Sequence, residues 1–130
     1  MNMGYYYSKM LDINFDEAIQ RITYGLKVEG FGIISEIDLQ EKFKEKLGVN
    51  YKKYRILGDC NPSYAYQAVL LEEKIGTMLP CNVLVIEQEN GKTEVSAVNP
   101  IASMMAIENK DLESIAMEIT EKLKRVVTNL

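Results

Sequence analysis

The sequence predicts one soluble α+β domain in which amphipathic helices lie against a sheet. Three observations predict it. Apolar residues recur at helical spacing in segments bounded by capping residues and glycines; shorter alternating or continuous apolar runs of strand length stand between them; and no linker, repeat or low-complexity tract divides the 130 residues. A chain of that length, read as a single domain over residues 1–130, buries about two-thirds of the surface its unfolded form exposes, enough for a core without staples. Hydrophobic residues at 47% and charged residues at 26% are globular values that argue against wholesale disorder.

Tyr5 to Lys9 reads as a first strand, aromatic and of good β propensity. Asn14, with Glu17 three residues on, opens a helix that carries Phe15, Ala18, Ile19, Ile22 and Leu26 on one face and runs to about Glu29, with Gly30 beyond it. Phe31, Ile33 and Ile37 alternate along a second strand. Asp38 and Glu41 then open a short helix with an expected buried stripe of Leu39, Phe43 and Leu47, ended by Gly48. Tyr54 to Leu57 is a third strand. Pro62 suits a first helical position, so Asn61-Pro62 starts a third helix continuing to about Lys74. Val83 to Ile86 is continuously apolar and predicts an interior strand covered on both faces. Asn90-Gly91 then favours a type I′ hairpin into the alternating Thr93, Val95 and Ala97. Asn99-Pro100 opens a short helix to about Met105. A last helix near Lys110 to Thr128 buries Leu112, Ile115, Ala116, Ile119, Leu123 and Val126. The expected order is β-α-β-α-β-α-β-β-α-α.

Composition closes several function classes. A net charge of −4 and a pI near 4.9 argue against nucleic acid as a main partner, because such binding relies on Lys and Arg displacing counterions. The strip Lys42, Lys44, Lys46, Lys52, Lys53 and Arg55 is interrupted by Glu41 and Glu45 and reads as a solvated face. No apolar run approaches the roughly 20 residues that cross a bilayer, so no membrane partner is expected. Met1 to Met10 contains no apolar stretch of signal-peptide kind. Cys60 and Cys81 are too few for a disulfide framework, and the expected location is cytoplasmic. Histidine is absent, which removes every Ser-His-Asp, Cys-His and imidazole–zinc arrangement.

Three segments carry a family resemblance. The run from Gly30 to Asp38, the run from Tyr54 to Pro62, and Leu79-Pro80-Cys81-Asn82-Val83 resemble hallmark segments of the bacterial and archaeal "domain of unknown function 302" family. Asn99-Pro100 resembles the polar-residue–proline step after that family's hairpin. The resemblance implies a two-layer α+β sandwich: a curved mixed or antiparallel sheet of about five strands, with helices packed on one face, in a homodimer. It carries no established activity and transfers no catalytic role. Cysteines at positions 60 and 81 look like those of one branch of the family.

The chemistry-bearing residues gather around two chain breaks. Cys60 leaves a strand beside a helix N-terminus, where unpaired N–H groups can lower a thiol pKa, although Asp59 opposes this. Cys60-Asn61-Pro62-Ser63 has the C-x-x-S spacing of monothiol redox proteins, and Pro80 stands where thioredoxin-like folds place a proline, but the element order departs from theirs. The bland reading makes both cysteines small buried hydrophobes. No cofactor is expected. Metal on Cys60 and Cys81 is a weaker alternative, either Cu(I) with Met78, Met104 or Met105 as soft ligands, or zinc with two further ligands from Asp, Glu or a second subunit: a β-α-β crossover usually makes its strands parallel, which would put the thiols at opposite sheet ends. Backbone N–H groups at Asn61 and Asn99, with Ser63 and Ser103, offer an anion site, but the two asparagines read first as helix caps. Tyr51, Tyr54, Tyr64 and Tyr66 wall a pocket or, preferably, a dimer interface. Asp59, Glu72 and Glu73 show no acid/base pairing. The preferred expectation is a noncatalytic homodimeric module that binds a small ligand or partner through Cys60, Asn61, Ser63, Cys81 and Asn82. A thiol enzyme with Cys60 as nucleophile and a soft-metal protein are the alternatives.

Overall fold

The computed structural model describes residues 4–130. The elements are β1 (Tyr6–Leu11), α1 (Phe15–Val28), β2 (Gly32–Asp38), α2 (Leu39–Leu47), β3 (Tyr54–Cys60), α3 (Pro62–Leu71), a 3-10 segment (Glu73–Met78), β4 (Cys81–Glu87), β5 (Thr93–Val98), α4 (Pro100–Ser103) and α5 (Lys110–Thr128). The five strands form one sheet in the order β1-β5-β4-β3-β2, with every neighbouring pair antiparallel. Strands β1 and β2 therefore lie at opposite edges, and α1 crosses the sheet to join them. Helix α5 packs beside α1 and against β1 and β5, completing two layers.

Local chemistry explains most boundaries. The side chain of Asn14 accepts from Glu17 N and that of Asp38 from Glu41 N, each satisfying a helix-start N–H. Gly48 takes the left-handed conformation that ends α2. Asn90 and Gly91 have φ of 62° and 73°, and Lys92 N donates to Glu89 O, the tight turn that joins β4 to β5. At the far end of α5, Lys9 Nζ donates to the carbonyls of Thr128 and Leu130 at 3.0 and 2.8 Å, a cation on a helix C-terminus. Glu29 ties α1 to α5 by accepting from both Nε and Nη2 of Arg125, and that bond, together with the charges of Arg125 and Lys122, holds its carboxyl below the usual range.

The core lies between the helices and one sheet face. Ile22 and Leu26 of α1, Leu123 and Val127 of α5, and Val83, Val85 and Val95 of the sheet are wholly buried. On β3 the same face carries Arg55, Leu57 and Asp59, since side chains alternate. Arg55 is matched there by Glu36 at 2.7 Å and Asp38 at 3.5 Å, and its guanidinium lies over the Phe15 ring.

Several expectations need correction. Helix α2 buries no residue, and Leu47 is 70% exposed, because α2 stands beside β3 at one sheet end and does not cover the sheet. Strand β4 is central but covered on one face only: Val83 and Val85 are buried, whereas Leu84 and Ile86 point to the opposite face and are half-buried. Helix α3 stops at Leu71, short of Lys74; Glu72 is extended, and the Leu71 carbonyl accepts from Asn109 Nδ2. Helix α4 ends at Ser103, a single turn.

Candidate functional site

Strand β3 ends in Gly58-Asp59-Cys60, and β4 begins at Cys81. The two strands are antiparallel neighbours, with Asp59 paired to Cys81 and Gly58 to Asn82. This overturns the parallel crossover, and with it the separation of the thiols: Cys60 and Cys81 occupy the same end of the sheet. The physical reason is that α3 and the 3-10 segment do not traverse a sheet face. They leave and re-enter at one end, acting as an enlarged hairpin loop, and the crossover rule governs only strands that end up parallel.

The close approach of the loop depends on Gly58. A β-carbon there would lie 2.7 Å from Pro80 Cγ and would collide with Ser35 Oγ, so only glycine lets Pro80 lie over the strand. Beyond this contact, α3 and α5 stand off from the sheet end and leave a cavity of about 270 Å³. Asp59, Cys60, Asn61, Tyr64, Cys81 and Met104 are among its lining residues, and nearly all of the surface presented to it is apolar. Phe31, Ile34, Leu79, Pro80 and Ile119 supply apolar wall.

Asp59 dominates the electrostatics. It is 1% exposed, and neither carboxyl oxygen has a hydrogen-bond partner among the described residues. Desolvation pushes its carboxyl up to about 7, and the residue's own backbone N–H pulls back only in part. Burial, followed by the charge of Asp59, raises the Cys60 thiol. Burial, Asp59 and Cys60 together push Cys81 up to about 12. The helix N-terminus therefore does not activate Cys60, and a thiolate nucleophile has no support in this geometry.

The remaining predicted residues scatter. Asn61 occupies the N-cap position of α3 but makes no capping bond; its Nδ2 stands 3.0 Å from where a β-carbon on Gly30 would lie, packed against the α1–β2 turn. Asn99 does cap: its Oδ1 accepts from Ile101 N and its Nδ2 donates to Gly4 O. The hydroxyl of Ser103 donates to Pro100 O, so the groups offered for an anion at this turn are used internally. Ser63 is exposed, and its hydroxyl accepts from Gln67 Nε2 at 3.4 Å, one turn along the same helix. Asn82 lies on the opposite sheet face, away from the cavity. Of the tyrosines, Tyr64 lines the cavity, Tyr54 lies on the uncovered sheet face, Tyr51 packs edge-on against Phe43 at 5.6 Å, and Tyr66 is 68% exposed. Met104 reaches the cavity; Met78 and Met105 are exposed. Among the described residues, no group of three or more Cys, Asp and Glu is placed to hold a metal ion.

Sequence reasoning named Asp59 as a charge opposing Cys60 but missed its burial. Its signal was the period of β3: if Leu57 faces the core, Asp59 does too. Ending the strand at Leu57 concealed that.

Three comparisons complete the description. The model of a family described as "Domain of unknown function DUF302" matches residues 7–130. The crystal structure of an uncharacterized conserved protein DUF302 from Bacillus stearothermophilus is similar, with 30% sequence identity, a TM-score of 0.88 and coverage of 98% of each chain. A search of curated proteins finds no match.

Proposed function

We propose, on the premise that the chain belongs to the DUF302 family, a domain family of unknown function, that it is a noncatalytic homodimeric module whose small-ligand site is the cavity beside Asp59, Cys60 and Cys81. One observation carries the reading: a carboxylate buried without a partner in a mostly apolar cavity. An unpaired buried charge is among the costliest features a fold can hold. A structure that keeps one at a cavity wall is poised to have its hydrogen bonds completed by something that enters. Pockets that recognise small molecules combine apolar walls with a few placed polar groups, and this one has that composition. The test is a ligand-observed NMR fragment screen against the wild-type chain and an Ala65→Leu variant that fills the cavity from α3. Fragments that bind wild type and are lost in the variant support the site; a screen without hits, or hits indifferent to the filling, overturns it.

The dimer rests on a separate observation. Among the described residues no helix covers the second sheet face, yet it carries Tyr6, Tyr54, Leu84, Ile86 and Val98. Strand β4 is apolar on both sides, the pattern of a strand covered twice, and a second copy supplies the missing cover. Five strands spaced about 4.8 Å apart and about 22 Å long give a flat footprint of roughly 500 Å², and side-chain relief brings this towards the ~800 Å² per partner of a stable interface. Sedimentation equilibrium gives a dimer for wild type and a monomer for Leu84→Lys in this reading; a wild-type monomer at micromolar concentration rejects it. Two unpaired cysteines favour a reducing, cytoplasmic compartment, and no helix among the described residues is long and apolar enough to cross a membrane.

A further inference from the structure

Asp59 borders a cavity whose wall is almost wholly apolar; its carboxyl oxygens are buried, and the other polar groups among the lining residues are the neutral Asn61 amide, the Tyr64 hydroxyl and the two thiols. Asp59 is buried with both carboxyl oxygens unpartnered among the described residues. An ionised carboxylate only accepts hydrogen bonds, so the missing donor is a proton on Asp59, a water molecule that enters the cavity, or a group on a ligand that displaces it. Among the described residues, no lysine or arginine lines the cavity. An anionic ligand would therefore bring a second negative charge next to Asp59 with no cation to balance it, and the net charge of −4 adds repulsion at longer range. The rest of the wall favours a hydrophobic body, and the rings of Phe31 and Tyr64 offer faces to a cation. At about 270 Å³ the space lies just under the roughly 300–1,000 Å³ of pockets that hold drug-sized molecules, so the body is of fragment size.

From this juxtaposition of an orphaned buried carboxylate with an apolar, cation-free wall, we infer that the cavity takes a compact hydrophobic amine, its ammonium group paired with Asp59. The inference rests on the binding-module reading above and names its ligand class. Pairing removes the cost of the isolated charge, because the ammonium donates to both oxygens in a site from which the ligand displaces water. It also links binding to pH. The titratable groups that face Asp59 are Cys60 on β3, Cys81 on β4 and Tyr64 on α3, with Glu118 and Arg125 near Tyr64. Ile34 of β2, Ile119 of α5 and Met104 beyond α4 contribute none. Burial raises both thiols and the Tyr64 phenol, so these stay neutral through pH 8 and Asp59 alone changes charge between pH 5 and 8. The amine needs the ionised form, and its affinity falls as the pH drops below about 7.

The experiment is isothermal titration calorimetry of the full chain with n-hexylamine, n-hexanol and hexanoate at pH 8 and pH 6, on wild type and Asp59→Asn. The expected result at pH 8 is hexylamine binding at least about tenfold more tightly than hexanol, the scale of one charge-assisted hydrogen bond, with no detectable hexanoate binding. At pH 6 the advantage of the amine shrinks while hexanol is unchanged, and Asp59→Asn abolishes it at both values. Should Asp59→Asn fail to fold, the two-pH comparison on wild type carries the test alone. Hexanol or hexanoate binding as tightly as hexylamine overturns the amine assignment and leaves the cavity as a binding site. Silence from all three probes also overturns the assignment, and the fragment screen then decides the broader reading separately.

Discussion

Replacing Asp59 by asparagine changes the pH dependence of folding stability in a direction that few surface substitutions could imitate. The carboxyl sits at about 7 in the fold against an ordinary 3.8. Between those values the folded chain holds a proton that the unfolded chain has released, so stability falls as pH rises through the window and levels off above about 7. At about 1.4 kcal/mol for each tenfold difference in proton affinity, the full cost of the ionised, buried side chain is about 4 kcal/mol, of which about 3 kcal/mol develops between pH 4.5 and pH 8. That is a large share of the ~5–15 kcal/mol that holds a domain together. Asparagine keeps the shape, pays a pH-independent cost of about 1–3 kcal/mol for its own unpaired amide, and has no proton to lose. Urea unfolding at half-unit steps from pH 4.5 to 8, with linear extrapolation, gives a wild-type curve that declines with pH and a flatter one for Asp59→Asn, so the variant gains on wild type as pH rises. Other shifted groups act outside this window: Glu29, held low by Arg125, loses its stabilising pairing only as pH falls through its depressed folded value, and the raised thiols of Cys60 and Cys81 cost stability only as pH rises through the ordinary thiol value of 9.0. Parallel profiles for the two proteins from pH 5 to 7.5 would refute the account of Asp59 as an unpaired buried acid.

Three further outcomes are expected. Gly58→Ala places a methyl group against Pro80 and Ser35 and destabilises the chain by about 1–3 kcal/mol through overpacking; adding Ser35→Ala recovers part of the loss, and an unchanged urea midpoint in the single variant counts against the close-approach argument. Alkylation by iodoacetamide at pH 7, followed by mass spectrometry, finds both cysteines slower than a free thiol and Cys81 slower than Cys60, following their burial and raised pKa values; a Cys60 faster than a model thiol would restore the nucleophile reading. Leu123→Ala, at a position with no exposure where α5 meets the core, lowers stability by about 2–5 kcal/mol, and a loss below 1 kcal/mol would mean that this helix is not the second layer's anchor.

The legible part of the site and the hidden part differ in range. That Cys60 lies between a strand and a helix was readable from Pro62, which marks a helix start by its own geometry. That Cys81 opens a strand was readable from the apolar run behind it. Their meeting was not readable, because the parallel or antiparallel outcome of a strand–helix–strand unit depends on whether the helix crosses a sheet face, and nothing within Pro62–Leu71 encodes that. Asn61 illustrates the same divide: asparagine before Pro62 is a cap by propensity, yet its amide turns to Gly30, a partner 31 residues away by numbering. Asn99, whose competing contact left its Oδ1 free to accept from Ile101 N, behaves as propensity dictates.

The amino-acid order by itself determined the succession of helices and strands, the capping by Asn14, Asp38 and Asn99, the turn at Asn90-Gly91, the apolar stripe of α5 and the exclusion of every histidine-based chemistry. These depend on side-chain size, polarity and backbone preference within a few residues. Tertiary structure alone decided that all neighbouring strands run antiparallel, that one face of β4 lies uncovered, and that Asp59 is sealed beside two thiols in a cavity closed by α3 and α5. Burial is a property of what surrounds a residue, and so is the proton affinity that follows from it. No local pattern around Asp59 states whether water reaches its carboxyl; the packing of four separate chain segments does.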